Sequence, residues 1–229
     1  MISIIIPTFN EEGQIGALVQ HLSRHDAEVE IIVADGGSTD ATVTQAEAAG
    51  ARVISCARKG RAAQMNQGAA AARGEVLYFL HADSYPPQHF HSDILQALAQ
   101  GCDSGCYRLR FDHPHWFLRA NCWFTRFNLN AVRFGDQSLF VTTDVFYRAG
   151  GFREDLVVME DQEVVGRIRK HGRFKVLKGD VTTSARKYID NGIYRMQAIF
   201  VLIYTMYWLG FSQTRLVRTY RSLIRQDKV

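Results

Sequence analysis

Isoleucine fills four of the five positions from Ile2 to Ile6, and the run reaches Pro7 without a charge. A strand wetted on one face alternates apolar and polar residues. A short unbroken apolar run, rich in β-branched side chains, is the pattern of a strand covered on both faces. Such a strand needs helices above and below it, and the next segments have that form. Ile15, Leu18, Val19 and Leu22 recur at helical spacing and give one apolar face. Val29–Ala34 repeats the buried-strand pattern and ends at Asp35-Gly36-Gly37. Ser38, Thr39 and Asp40 offer N-caps to a helix that Gly50 ends, and Arg52–Cys56 reads as a third strand. An Ala-rich helix from about Ala62 to Arg73 is closed by Gly74, and Glu75–Leu80 is a fourth strand. This alternation predicts an α/β fold with a mostly parallel central sheet flanked by helices.

The second half is less regular. A helix ending over Asp93–Gln100, strands at Cys106–Phe111, Ser138–Thr142 and Phe174–Leu177, and a helix over Glu160–Lys170 are expected. No repeat or long linker divides this part, so residues 1–185 read as one domain. Residues 186–229 form a helical, basic extension that packs on that domain or on a membrane surface. They hold eight Lys/Arg against two Asp/Glu, while the whole chain carries only +4. A near-neutral body with a basic end argues against a nucleic-acid partner along the whole surface and points to a local anionic one. From Met196 to Thr214 there is no charge, and Arg215, Arg218, Arg221 and Arg225 then recur every three or four positions. Met196–Phe211 is short for a bilayer span. It is expected either as a core helix covering the sheet or as a helix lying at an anionic membrane surface.

With 47% hydrophobic and 22% charged residues the chain is a folded globular protein rather than a disordered one. Cys56, Cys102, Cys106 and Cys122 show no zinc-like spacing, which suits reduced, buried thiols. The first residues have no basic n-region or cleavage motif, so a cytoplasmic location is expected, with the tail giving a peripheral position on the inner face of the plasma membrane.

Four polar groups fall where a strand ends or a loop begins, and open α/β sheets bind ligands beyond the carboxyl ends of their strands. Pro7, Thr8, Asn10 and Glu11 follow the first strand and suit either helix capping or a loop holding a base and ribose. Asp35 and Gly36 follow the second, as a tight turn or as a carboxylate that accepts from a base, with glycines admitting a ligand to the backbone. His81-Ala82-Asp83 ends the apolar fourth strand, where a carboxylate is poorly solvated unless something binds it. Hard oxygen ligands suit Mg²⁺ or Mn²⁺ bridging a diphosphate. Glu160, Asp161 and Glu163 open a helix. They complement its dipole, or they provide a general base with proton affinity set by a crowded neighbour. No G-x-G-x-x-G follows a strand, which removes the main support for a dinucleotide-dependent dehydrogenase.

Taken together, I-I-I-P-T-F-N-E-E, A-D-G-G-S-T-D, N-Q-G-A-A-A-A-R-G-E-V-L-Y-F-L-H-A-D and M-E-D-Q-E resemble, in order and spacing, a family 2 glycosyltransferase of the GT-A (nucleotide-diphospho-sugar transferase) fold. The tail and Phe134–Gln137 are similar to a bacterial subgroup of radical-SAM/selenodomain-associated transferases. The resemblance implies that Thr8 and Asp35 contact the nucleotide and that Arg61, Asn66, His81 and Ala82 line the donor site. It implies that Asp83 holds the divalent cation, with His81 standing where the first acid of the family motif is expected. Asp161 then matches the catalytic base of inverting members, with Glu160 beside it. Asp136 and Gln137 face the acceptor or donor sugar, or form a structural turn. The implied donor is a nucleotide sugar, most commonly a UDP-sugar. The implied acceptor is a hydroxyl, on a lipid or lipid-linked molecule if the tail docks on a membrane. A sugar nucleotidyltransferase would need a Gly- and Lys-rich loop after the first strand, and Thr8–Glu12 has neither residue. A non-catalytic nucleotide-sugar-binding protein would lack a base, and Glu160-Asp161 is present.

Overall fold

The computed structural model of the chain describes residues 1–24, 29–58, 60–132 and 135–225; Phe134 of the expected Phe134–Gln137 stretch lies outside them. Eight strands form one sheet in the order β3-β2-β1-β4-β7-β6-β8-β5. They are β1 (Ile2–Thr8), β2 (Val29–Asp35), β3 (Arg52–Ser55), β4 (Val76–Phe79), β5 (Ser84–Tyr85), β6 (Ser104–Phe111), β7 (Leu139–Thr142) and β8 (Phe174–Thr183). The first four are parallel, as the buried runs require. The sheet then reverses, because β7 lies antiparallel to both β4 and β6. β8 runs parallel to β6, and the short β5 pairs antiparallel on its far side. These reversals bring the carboxyl ends of β1, β2, β4, β6 and β8, and the amino end of β7, to one edge.

β1 is covered on both faces as its composition demands. Ile2, Ile4 and Ile6 join the core formed with α1 (Ile15–Ser23) and α4 (Phe90–Ala99). Ile5 turns the other way, onto α3 (Arg61–Ala71), α6 (Thr143–Arg148) and α7 (Glu160–Ile168). α3 approaches closely because Gly68 has no side chain: a Cβ there would sit 2.4 Å from Ile5 Cγ2. Pro7 does not stop β1, contrary to expectation, since the ladder to β2 continues through Thr8. Its missing N–H costs nothing, because pairing with β4 ends at Ile5 and Pro7 points to that vacated side.

The cap of α2 (Thr42–Ala48) also differs from expectation. The helix begins after Ala41 without a side-chain cap, and among the three expected caps only Asp40 reaches it, accepting from Thr42 N at 3.0 Å. α5 (Trp116–Phe124) was not anticipated and has no clean apolar stripe, while α8 (Arg186–Asn191) opens the expected helical extension. The tail forms a helical hairpin of α9 (Ile193–Trp208) and α10 (Gln213–Leu223). Met196, Ile199, Ile203 and Met206 pack on Leu216 and Tyr220, with Val158 of the main domain against them. α9 therefore covers α10 and not the sheet. Arg215, Arg218 and Arg221 lie on α10, Arg225 falls beyond its end, and all four are exposed. Among the described residues no helix is long and apolar enough to cross a membrane.

Candidate active site

Two loops at the shared edge are stitched side by side. Asn10 takes a left-handed backbone (φ 54°), its N–H donates to Ser38 Oγ at 2.9 Å, and its side-chain oxygen accepts from Thr39 N at 2.9 Å. Glu11 N donates to Thr42 Oγ1 at 2.7 Å. Below them Gln64, reaching up from α3, donates to the carbonyls of Thr8 and Ala34 at 2.7 and 2.8 Å. Gly36 is needed for this contact, since a Cβ would lie 2.9 Å from Gln64 Nε2. Gly37, at φ 89°, faces open space, with no atom within 4 Å of where a Cβ would stand.

The buried Asp35 carboxylate holds its own turn. Oδ2 accepts from Gly37 N and Ser38 N at 3.0 Å each, and Oδ1 from Ser38 Oγ at 2.5 Å and Thr8 Oγ1 at 3.4 Å. All four acceptor directions are occupied, and the Thr8 bond is the longest. Ser38 and Gln64 are site-shaping residues that the sequence showed only as a cap and as part of an Ala-rich helix.

The acidic group assembles across the edge. Met159 adopts a left-handed conformation (φ 71°) and turns the chain into α7 so that Glu160 and Asp161 enter the site in succession. Arg61, the first residue of α3, places Nε 3.2 Å from Glu160 Oε1 and a terminal nitrogen 3.8 Å from Asp161 Oδ2. Glu160 is only 2% exposed. Its Oε1, although beside Arg61 Nε, has no hydrogen-bond donor directed at it. A buried carboxylate oxygen of this kind is a place for a further donor.

Burial, then the like charge of Glu160, pushes the Asp161 carboxyl well above the usual carboxylate range, against the opposing pull of Arg61. A cavity of about 20 Å³ at Asp161, lined by Phe79, Leu139, Phe152 and Val165 among others, accounts for the poor solvation. Gly135 backs directly on the carboxylate, where a Cβ would sit 2.1 Å from Asp161 Oδ2.

His81 and Asp136 meet with Nδ1 3.4 Å from Oδ1. Burial, reinforced by Arg61, keeps His81 neutral down to about 4, and burial raises the Asp136 carboxyl despite Lys187 and Arg61 nearby. The contact is therefore a polar pairing and not an ion pair. Asp83 stands one turn on, its Oδ1 3.4 Å from Ser84 Oγ. Its carbonyl accepts from Ser184 N as β5 pairs with β8, which brings α8 and Lys187 to the site. Lys187 donates to Tyr220 of α10 at 3.2 Å.

Other expected residues serve the framework. Asn66 donates to Phe152 O and Glu154 Oε1 at 2.9 and 3.0 Å and accepts from Phe152 N at 2.9 Å, clamping the segment before Met159. Ala82 is buried in the core. Gln137 is 1% exposed, and its amide donates to Tyr107 O at 3.0 Å and Thr125 O at 3.4 Å. It braces β6, while Asp136 beside it turns toward the site. Gln213 had no signal in the sequence: its side chain bonds the backbone of Val157 and Val158, just ahead of the acidic pair.

The side chains at this edge offer few ligands to a divalent cation. Among the described residues no three His, Cys, Asp or Glu groups gather as a closed cage. Asp83 offers a hard oxygen donor of the kind an open site uses, in which one carboxylate and the phosphates of a ligand share the ion.

A mixed sheet with two strand-end loops bonded side by side, an acid after β4, and the buried Glu160 with half-buried Asp161 at the same edge is the arrangement of a GT-A-type transferase domain. The model of glycosyl transferase family 2 matches residues 3–156, and the chain belongs to that family. Glucosyl-3-phosphoglycerate synthase of Mycolicibacterium paratuberculosis is 38% identical over 96 residues, which are 38% of this chain and 29% of that protein. Dodecaprenyl-phosphate galacturonate synthase of Rhizobium johnstonii is 32% identical over 93 residues, 36% of this chain and 28% of that one. The matches thus span less than a third of these relatives. Among solved structures, S. aureus TarS 1–349 in complex with UDP aligns over 97% of this chain and 70% of its own, with TM-score 0.67 and 18% identity. The mannosyltransferase PcManGT of Pyrobaculum calidifontis, in complex with GDP-Man and Mn²⁺, aligns over 88% and 61%, with TM-score 0.70 and 18% identity. At such identities the likeness is one of fold.

Proposed function

We propose that the chain transfers a sugar from a nucleoside-diphosphate sugar, a UDP-sugar first among candidates, to an acceptor hydroxyl with inversion. The observation that carries this reading is the Asp161 carboxylate, held by Arg61, crowded by Glu160 and raised in proton affinity. Asp161 takes the acceptor's proton as that oxygen attacks the anomeric carbon. The bond from that carbon to the diphosphate breaks, and the electron pair leaves with the nucleotide. Glu160 fixes Arg61, and Arg61 orients Asp161 without protonating it. The base and ribose lie against Thr8, Asn10 and Asp35. The weak Thr8–Asp35 bond is the one a base donor replaces. Mg²⁺ or Mn²⁺ held by Asp83, when bound, would neutralise charge on the leaving diphosphate.

The acceptor is proposed to be lipid or lipid-linked, with the protein peripheral on an anionic membrane. Support comes from Trp208 and Leu209 at the end of α9, 64% and 71% exposed, next to the exposed arginines of α10. Each such arginine contributes about 1 kcal/mol near an anionic surface, decreasing with salt. Screening UDP- and GDP-sugars with Mn²⁺ for release of free nucleoside diphosphate tests the transfer reading, and no release from any donor overturns it. Flotation with anionic and neutral liposomes at low and high salt tests the acceptor. A folded protein that binds neither kind at low salt directs the search to soluble acceptors.

A further inference from the structure

Beside the site, between β6 and α5, lies an open cleft of about 820 Å³. Four of its lining side chains are arginines: Arg108 and Arg110 from β6, and Arg119 and Arg126 from α5 and the turn after it. The strand period of two sends Arg108 and Arg110 to the same face, next to Asp180 and Thr182 of β8. Two carboxylates line the cleft. One of them, Asp112, is engaged by Ala185 N at 2.7 Å. The other, Asp180, leaves the arginines in excess.

Among the described residues none of the four guanidinium groups forms an ion pair, although arginines elsewhere in the chain pair freely with carboxylates. Arg126 Nε donates to the Trp123 carbonyl at 2.9 Å and its guanidinium lies over the Trp123 ring. Arg108 Nε is buried and has no hydrogen-bond partner. Burying an unpaired guanidinium nitrogen amid three more positive charges is costly unless an anion completes the arrangement.

One side chain ties the walls of the cleft to the edge that carries Asp161. Gln137 lines the cavity at Asp161, and its amide grips the carbonyls of Tyr107 and Thr125, the residues immediately before Arg108 and Arg126. We infer that this cleft is a binding site for a phosphate group carried by a ligand other than the donor, with Arg108, Arg110, Arg119 and Arg126 as its cationic wall. Planar guanidinium forks match phosphate oxygens two at a time, which explains arginine at all four positions and lysine at none. The phosphate has two sources, a free phosphorylated molecule or the headgroup of a membrane lipid. Trp123 lines the cleft and is exposed, with Phe124 and Phe127 exposed just beyond, an apolar border suited to the second source.

The experiment uses the full chain, without nucleotide or divalent cation. Inorganic phosphate and pyrophosphate are titrated by calorimetry into the wild type, R108Q and the double variant R110Q/R119Q. The double variant alters two exposed side chains and leaves the fold intact. Sedimentation with phosphatidylcholine vesicles, with and without phosphatidic acid, is measured in parallel. The wild type should bind a soluble probe or the phosphatidic acid vesicles, and R110Q/R119Q should weaken that binding about tenfold or more, the effect of losing charge-assisted hydrogen bonds. Binding of soluble probe assigns a free ligand, and retention only by phosphatidic acid vesicles assigns a lipid; both support the cleft. No binding of any probe by the wild type, or equal binding by R110Q/R119Q, overturns it. UDP affinity with Mn²⁺, measured separately, should be unchanged within about twofold in R110Q/R119Q, since the nucleotide end contains neither arginine. Loss of UDP binding by the wild type would count against the transfer reading alone.

Discussion

Gln213 and Val158 form a reciprocal pair: Val158 N donates to Gln213 Oε1 at 3.3 Å, and Gln213 Nε2 donates back to Val158 O at 3.3 Å. Val157 N shares the same oxygen at 3.2 Å. The first turn of α10 thus grips the residues that lead into Met159, Glu160 and Asp161. Gln213→Ala should lower stability by about 1–2 kcal/mol, the net value of the lost bonds. It should reduce kcat about tenfold or more by loosening the base, with nucleotide affinity unchanged. Gln213→Glu, which keeps the acceptor and loses the donor, should fall between the two. Equal kcat in all three proteins would remove Gln213 from any positioning role.

Asp161→Asn retains shape and removes the proton acceptor. Turnover should drop about 10²–10⁴-fold, the usual share of a general base, while donor binding persists. Transfer at close to the wild-type rate would disprove the assignment.

The raised Asp161 carboxyl has consequences of definite sign. Transfer needs the ionised form, so kcat/KM should rise with pH along a limb above the ordinary carboxylate range. Glu160→Gln removes a like charge and should move that limb down; Arg61→Met removes the stabilising cation and should move it up. For folding, the native state holds this proton more tightly than the unfolded chain. Its contribution is complete below the unfolded value and is lost as pH rises through the native one. Asp161→Asn should therefore be more stable than the wild type at alkaline pH, and this advantage should vanish in acid. Denaturant midpoints across pH test the sign.

Asp83→Ala should make UDP affinity insensitive to Mn²⁺, because the proposed ion is shared between this carboxylate and the diphosphate. Isothermal titration with and without chelator reads this independently of turnover. If chelator leaves wild-type UDP binding unchanged, Asp83 is not a metal ligand.

Much of the fold could be read in the sequence because its signals are local. Ile2–Ile6 and Val29–Ala34 identify buried parallel strands by themselves, the strand-end positions of Asp35 and His81 follow, and the acidic opening of α7 places Asp161. What escaped notice depends on partners distant in sequence. β7 reverses the sheet through pairing with β4 across some sixty residues, which no composition encodes. Gln64 stands in an Ala-rich helix, yet its amide closes two loops. Gln137, expected at the acceptor side or in a turn, lies inward because its amide satisfies two carbonyls beside β6 and α5.

The reach of Gln213 back to Val158 also bears on how the chain is made. Residues 1–183 contain every described strand of the sheet and the two loops that follow β1 and β2, so they can begin to organise as soon as they emerge during synthesis. The segment carrying Glu160 and Asp161, clamped on one side by Asn66, must wait for some fifty further residues before Gln213 adds the second clamp. A ribosome stalled at Ser212 would hold a nascent chain with every strand synthesised and with Arg61 and Asn66 in place, but without the grip of Gln213 on the segment before the acidic pair. Nucleotide capture should thus precede catalytic competence on the ribosome, an order that stalled chains of increasing length can display.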